Sequence, residues 1–145
     1  SIGAGITNTK DPLVRAAEIL WDRHIVVAAA GNNGPQKGTI SSPGISKKII
    51  TVGSVDDINV SENDNRQKLF GRGPTKECVI KPDVVAPGTN IISCLCEDNK
   101  SNNYYKSLSG TSMSTPIVSG AIPFIRKAPD LKPDDIKFML KQSCQ

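Results

Sequence analysis

The stretch from Ser109 to Pro116 has the sequence SGTSMSTP and lies between a loop of small residues and a segment with helical character. We expect the helix to begin at Ser112 and to run to about Lys127. The preceding glycine allows a tight backbone turn, and a helix N-terminus offers unpaired N–H groups and a partial positive charge. This arrangement suits a serine nucleophile, although an N-capped helix with Thr111 or Ser112 as the cap accounts for the same pattern.

The composition is that of a soluble globular domain. The chain has 145 residues, the length of one ordinary domain, with 37% hydrophobic and 22% charged residues. No apolar run reaches the length of a membrane span, and the first ten residues lack the pattern of a signal peptide. Because the sequence starts with Ser1 and not with Met, we expect that Ser1 is not the natural start.

The charge pattern argues against a nucleic-acid partner. The 18 lysine and arginine residues outnumber the 14 acidic residues and leave a net charge of +4, but they are scattered along the sequence. A nucleic-acid surface would interleave basic and aromatic side chains, and no such stretch is present. We therefore expect neither a nucleic-acid nor a membrane partner.

The four cysteines do not have the spacing of a zinc site. Cys94 and Cys96 would face the same side of a strand, whereas zinc sites usually combine C-x-x-C pairs with a closing pair of ligands. Cys78 and Cys144 are distant in the sequence. The sequence therefore predicts no set of metal ligands. It does not decide whether disulfides form, and it is compatible with either an extracellular or a cytoplasmic compartment.

Strands and helices alternate along the chain. The continuous apolar runs at 25–30 and 49–55 predict strands buried on both faces, as in a parallel sheet. Asp11 and Pro12 suit the N-cap and first position of a helix that extends to about Arg23. Further elements are expected as short strands near Leu69-Phe70, at 81–88 and at 91–95, a polar loop at 98–106, and a helix from Lys132 to about Gln142. The pattern predicts an α/β layered fold with a mainly parallel sheet.

Three separated blocks resemble the subtilisin-like serine proteases, or subtilases. Residues 28–34 (AAAGNNG) resemble the family's block with the oxyanion-hole asparagine. Residues 81–88 (KPDVVAPG) resemble its K-P-D-[IV]-x-A-P-G segment, and residues 110–116 (GTSMSTP) resemble its nucleophile block. Weaker similarities at 1–3, 42–44, 49–55 and 70–74 complete the family order. The resemblance implies the subtilisin-like three-layer α/β fold, with residues 1–145 as the C-terminal portion of a peptidase domain.

The resemblance also implies roles for individual residues. Ser112 corresponds to the nucleophile that forms an acyl-enzyme, and Asn32 to the side chain that stabilises the oxyanion together with the Ser112 backbone N–H. The strand Ser1-Ile2-Gly3 would bind an extended peptide or protein substrate by strand addition. The small residues that would line the primary specificity pocket, suited to an apolar or long side chain, are Ala29, Ala30, Gly31, Ser41, Ser42 and Pro43.

Departures from the family pattern limit what this chain is expected to do alone. The family's Asp-[ST]-Gly and His-Gly-Thr blocks, which supply the orienting acid and the base, are absent. The single histidine, His24, is interpreted as a partly buried structural residue, and Asp83 as structural. Ile117 stands where the family often has histidine, and we expect this difference to alter side-chain packing more than the mechanism. We expect an inactive C-terminal half that requires the missing N-terminal half of the domain and otherwise self-associates at exposed edges.

Other interpretations of the same residues stay open. Subtilases often bind calcium, but no ligand cluster or other cofactor motif is evident here. A non-catalytic pseudoprotease or scaffold could keep the same fold. Gly31-x-x-Gly34 follows an apolar run, but a dinucleotide site requires G-x-G-x-x-G opening a helix, and Pro35 follows instead. An α/β-hydrolase has G-x-S-x-G, whose second glycine is replaced by Ser114.

Overall fold

The computed structural model describes residues 3–5, 8–55, 70–95, 104–126 and 131–144. Within these residues the strands and helices do not alternate as the sequence pattern predicts, because five strands follow the first helix and precede the other two. The elements in chain order are α1 (Pro12–Trp21), β1 (Val27–Ala29), β2 (Ile50–Val55), β3 (Val84–Pro87), β4 (Ile91–Cys94), β5 (Tyr105–Leu108), α2 (Thr111–Ile125) and α3 (Pro133–Ser143).

The centre of the fold is a three-stranded parallel sheet in the order β1-β2-β3. Val27 of β1 pairs with Ile50, and Val52 of β2 pairs with Val84 of β3. Ile50, Thr51 and Val52 of β2 are fully buried, so both faces of this central strand are covered. Parallel strands need helical coverage, and α2 packs against all three strands. The resulting α/β arrangement confirms the predicted fold class.

Helices α1 and α3 begin where a carboxylate accepts a hydrogen bond from a backbone N–H at the helix start. The Asp11 carboxylate accepts a hydrogen bond from the backbone N–H of Leu13 at 2.7 Å, which caps α1. At the start of α3, the Asp135 carboxylate accepts a hydrogen bond from the Lys132 backbone N–H at 3.0 Å. The Trp21 indole donates to Asp134 at 2.9 Å and so joins the end of α1 to the start of α3. These two helices confirm the predicted elements.

The strand β4 was predicted at 91–95, but its antiparallel partner β5 was not. Tyr105 and Lys106 fall in the expected polar loop, but β5 pairs with β4 in the register Ile91↔Leu108. All four β5 residues are exposed, so the strand has no alternating apolar pattern that the sequence could reveal. Its hydrogen bonds to β4, and not burial, define it.

Three smaller expectations need correction. Helix α2 begins at Thr111 with Gly110 as its N-cap, one residue before the predicted start, and its predicted end at Lys127 lies outside the described residues. Leu69 also lies outside them, and Phe70 is buried in a bend and not in a strand. His24 is exposed and not partly buried, because it lies in the surface turn after α1, where Asp22 and Arg23 are exposed as well.

The described residues also bear on the expectations for disulfides, metal ligands and membrane-spanning helices. Cys78, Cys94 and Cys144 are free and exposed, and Cys96 lies outside the described residues. Within the described ranges, no three His, Cys, Asp or Glu side chains converge as a metal ligand set. No helix in the part of the chain that the structure describes is long and apolar enough to cross a membrane.

A buried ion pair lies just before β3 and contacts the start of β2. The Lys81 and Asp83 side chains, 1% and 4% exposed, form a direct salt bridge. Asp83 also accepts from the Thr51 backbone N–H at 2.8 Å, and Lys81 donates to the Ile49 carbonyl at 3.0 Å. Burial lowers the pKa of Lys81 to about 8, although the Asp83 carboxylate acts in the opposite direction. These contacts support the structural interpretation of Asp83.

We expect Asp83→Asn to lower the free energy of unfolding by about 3–5 kcal/mol, because Lys81 would stay buried without its counter-charge. Asp22→Asn is the matched control: its pair with Lys48 is exposed, and such pairs contribute less than about 1 kcal/mol. Urea denaturation of the protein that carries this chain compares the two variants. Equal losses for both would contradict the role given to Asp83.

Candidate active site

Asn32 lies just beyond the C-terminal end of β1. The Ala30 backbone N–H donates to the Val52 carbonyl at 2.8 Å and extends the sheet pairing to the edge of the loop. Gly31 then turns the chain with a φ of 95°, which glycine adopts without the penalty that a side chain brings. The side chain of Asn32 is thus held at the edge of a rigid sheet.

Thr111 fixes the orientation of the Asn32 carboxamide. The backbone N–H and the hydroxyl of Thr111 donate to Asn32 Oδ1 at 3.1 and 3.2 Å. The same hydroxyl accepts from the Gly31 backbone N–H at 3.1 Å, and Thr111 is fully buried. Because Oδ1 already receives two hydrogen bonds, the Nδ2 amide is the donor end of the group.

Gly110 allows the backbone to approach this carboxamide closely. Its φ of 156° and ψ of 163° fall in a region that only glycine commonly occupies. A Cβ atom placed there would lie 3.2 Å from Asn32 Nδ2. Glycine at position 110 therefore leaves room for the Asn32 carboxamide to lie against the start of α2.

Ser112 and Asn32 line the same cleft of about 250 Å³. Ser112 is the second residue of α2 and is half-buried. The cleft brings six of the predicted site residues together and adds two others, and its lining is Gly3, Ala4, Ala29, Gly31, Asn32, Ser41, Thr111 and Ser112. None of these side chains carries a charge, so the cleft among the described residues is small, neutral and weakly polar.

The remaining predicted pocket residues lie behind this lining. Ala30, Ser42 and Pro43 are buried and do not border the cleft. Ser42 bonds the segment that carries Gly3, since its carbonyl accepts from the Ala4 backbone N–H at 3.0 Å. Ser1 and Ile2, the other two residues of the expected substrate strand, lie outside the described residues.

The wall of the cleft is set by a hydrogen bond that the sequence did not indicate. The Asn33 side-chain amide donates to the Ser41 hydroxyl at 2.8 Å. Gly31 lies so close to Ser41 that a Cβ atom there would overlap the Ser41 side chain. Asn33 and Gly31 thus hold Ser41 in place on the cleft surface.

His24 and Asp83, for which the sequence predicts structural roles, do not line the cleft. His24 borders a different, largely apolar groove with Leu20, Val26 and Ile122. Asp83 is enclosed in its ion pair with Lys81. The only imidazole of the 145 residues is therefore not next to Ser112.

A family model described as the subtilase family matches residues 2–145. The chain belongs to this family. Residues 28–34 and 110–116, two of the blocks on which the resemblance rests, contribute Asn32 and Ser112 to the same cleft.

Known subtilases match most of this chain but extend well beyond it. Serine protease AprX of Bacillus subtilis (strain 168) is 46% identical over 145 residues, covering 91% of this chain and 33% of AprX. Subtilisin-like protease SBT6.1 of Arabidopsis thaliana is 34% identical over 128 residues, covering 83% of this chain and 12% of SBT6.1. The structure of sphericase superposes with a TM-score of 0.74 at 28% identity, covering 98% of this chain and 46% of sphericase. The chain thus spans less than half of each.

We expect Gly110→Ala to destabilise this subtilase chain, because the substitution combines backbone strain of about 1–3 kcal/mol with crowding of Asn32. Gly120→Ala is the matched control, since a Cβ atom at Gly120 of α2 meets nothing within 4 Å. At an open helical position alanine stabilises by up to about 1 kcal/mol. Thermal unfolding of the two variants checks the opposite signs, and a stabilising Gly110→Ala would contradict the close approach described.

Proposed function

We propose that this chain supplies the nucleophile and the oxyanion hole of a serine endopeptidase. The observation that carries the proposal is the shared cleft of Ser112 and Asn32, with the Asn32 carboxamide held by Thr111. A preorganised donor opposite a hydroxyl at a helix N-terminus suits acyl transfer. The subtilase membership supports the same reaction class.

In the proposed reaction, Ser112 Oγ attacks the carbonyl carbon of the scissile peptide bond and loses its proton to a general base. The negative charge that develops on the carbonyl oxygen is stabilised by Asn32 Nδ2 and the Ser112 backbone N–H, assisted by the N-terminus of α2. Collapse of the tetrahedral intermediate releases the amine, which takes the proton, and leaves an acyl-enzyme on Ser112. Water then hydrolyses this ester.

The substrate is proposed to be an extended peptide or protein segment. The backbone near Gly3 borders the cleft and can pair with such a segment by strand addition. The pocket beside it is lined by the small residues Ala29, Gly31 and Ser41, with no charged side chain in the lining. An uncharged substrate side chain is therefore the expected occupant, since a buried charge would lack a partner.

The general base is proposed to come from the rest of the protein. A serine nucleophile requires a base and a residue that orients it, and His24 borders another groove. This chain spans only 33% of AprX, so a longer protein has room for both groups. We propose that residues 1–145 alone are inactive and that the missing part of the domain is their partner. Self-association of the isolated residues, at exposed edges, also stays a prediction.

We expect the protein that carries this chain to cleave peptide substrates and Ser112→Ala to abolish that cleavage. Residues 1–145 prepared alone should give no serine-dependent turnover, because none of the described residues that line the cleft is a general base. The measurement is release of a fluorescent group from peptides with neutral side chains. Ser119→Ala, which removes an exposed hydroxyl elsewhere on α2, is the control and should retain activity.

Two outcomes would contradict this proposal. Turnover by residues 1–145 that is lost in Ser112→Ala would show that the base lies within the chain. A well-folded longer protein without turnover, and without reaction of Ser112 with a fluorophosphonate, would favour the pseudoprotease or scaffold alternative.

We expect Asn32→Ala to lower kcat far more than it raises KM, because the donor acts on the transition state. Loss of one such donor costs about 10²–10³-fold in kcat in subtilisin itself, the family member in which that magnitude was measured. Thr111→Val should lower kcat by about 10-fold or more, since misplacing a catalytic group is costly. Thr111→Ser, which keeps the hydroxyl, should restore most of it. Equal kcat for Thr111→Val and wild type would contradict the positioning role.

A further inference from the structure

Three basic side chains border one cleft at the ends of two helices. The cleft has a volume of about 260 Å³, and it combines basic with apolar side chains, namely Arg23, His24, Arg126, Ile25, Leu131 and Pro133. Arg23 and His24 follow the end of α1, and Arg126 follows the end of α2. This basic cleft shares no lining residue with the cleft that holds Ser112 and Asn32, so it is a separate feature of the surface.

The described residues leave this basic cleft with an excess of positive charge. None of the six side chains that line it is a carboxylate. Asp22, the sequence neighbour of Arg23, pairs with Lys48, and Arg23 takes part in none of the ion pairs that join two described residues. A helix C-terminus favours a basic residue, which accounts for Arg23 and Arg126 singly but not for their convergence. Guanidinium groups suit carboxylates, so the cleft fits an anionic group.

An apolar groove of about 520 Å³ adjoins the basic cleft, and His24 and Ile25 line both. The groove is also bordered by Leu20 of α1 and Ile122 of α2. The apolar run from residue 25 predicts a strand buried on both faces, but residues 25–27 are only half-buried: they pack against the core and also border the groove. β1 is moreover an edge strand of the described sheet. The groove is therefore a part of the domain core that the described residues leave open.

The part of the domain outside residues 1–145 is the occupant that fits both cavities. The chain superposes over 98% of its length on sphericase but covers only 46% of that protein, so more than half of sphericase has no counterpart here. A groove continuous with the core calls for apolar residues of the same domain. The basic side chains beside it then require a negative charge from the same segment, because covered cations need a counter-charge. A small anion would meet the charge but leave the groove open.

We propose that the cleft of Arg23, His24 and Arg126 receives an aspartate or glutamate side chain from the part of the domain outside residues 1–145, carried by an apolar segment that fills the adjoining groove. The ion pair sets the direction in which this segment lies, because the described lining of the groove is otherwise uncharged. The inference rests on the proposed function in one respect, since both assign the rest of the domain as a partner.

The crystal structure of the protein that carries this chain tests the proposal directly. An aspartate or glutamate from outside residues 1–145 should place a carboxylate oxygen within about 4 Å of the Arg23 guanidinium group, the distance of an ion pair. Apolar side chains of the same segment should fill the groove. The proposal is overturned if the cleft instead holds solvent, a small anion, a second copy of the chain or a carboxylate from within residues 1–145.

Charge reversal tests the same contact in solution. Arg23→Glu should lower the melting temperature of the protein by about 5 °C, because a charge-assisted hydrogen bond is lost and two carboxylates face each other. Arg15→Glu is the matched control: Arg15 is an exposed arginine of α1 that borders neither cavity, and its reversal should leave the melting temperature nearly unchanged. Arginine in place of the carboxylate found in the crystal structure should recover most of the loss in Arg23→Glu.

Equal shifts for Arg23→Glu and Arg15→Glu, or no recovery in the exchanged pair, would overturn the proposal. If Arg23→Glu does not fold, Arg23→Gln and Arg15→Gln, which only remove a charge, take the place of the two variants. None of these measurements depends on turnover. A protein without peptidase activity would therefore contradict the proposed function and leave this inference to its own test.

Discussion

The hydrogen bonds between Asn32 and Thr111 connect the two halves of the candidate site. They join the loop after β1 to the first turn of α2, across 79 positions of sequence. The Thr111 hydroxyl is at once a donor to Asn32 and an acceptor for Gly31, so the sheet edge and the helix start share one buried group. Without it, Ser112 and Asn32 would be neighbours with no fixed relation, and an oxyanion hole depends on fixed donors.

The sheet makes this connection rigid. Continuous apolar runs predicted β1 and β2, and they form buried parallel strands because apolar residues on both strand faces require cover on both. Asp11 and Pro12 likewise predicted the start of α1. The strand β5 could not be found in this way: its four residues are exposed, and only its pairing with β4 defines it.

The candidate site was predictable in its residues but not in its contacts. The sequence blocks indicated Ser112, Asn32, Gly31 and Ser41, and all four border one cleft. The hydrogen bonds of Thr111 to Asn32 and of Asn33 to Ser41 were missed, because threonine and asparagine in loops most often serve local turns. Long-range side-chain hydrogen bonds leave no periodic signal in a sequence.

The central claim is that Ser112 and Asn32 act on the same carbonyl group. The most direct measurement is the crystal structure of the protein that carries this chain after reaction with a peptide boronate. The account predicts a bond between Ser112 Oγ and boron, with one boronate oxygen accepting hydrogen bonds from Asn32 Nδ2 and the Ser112 backbone N–H. A boronate bound to another residue, or one whose oxygens all point away from Asn32, would contradict it.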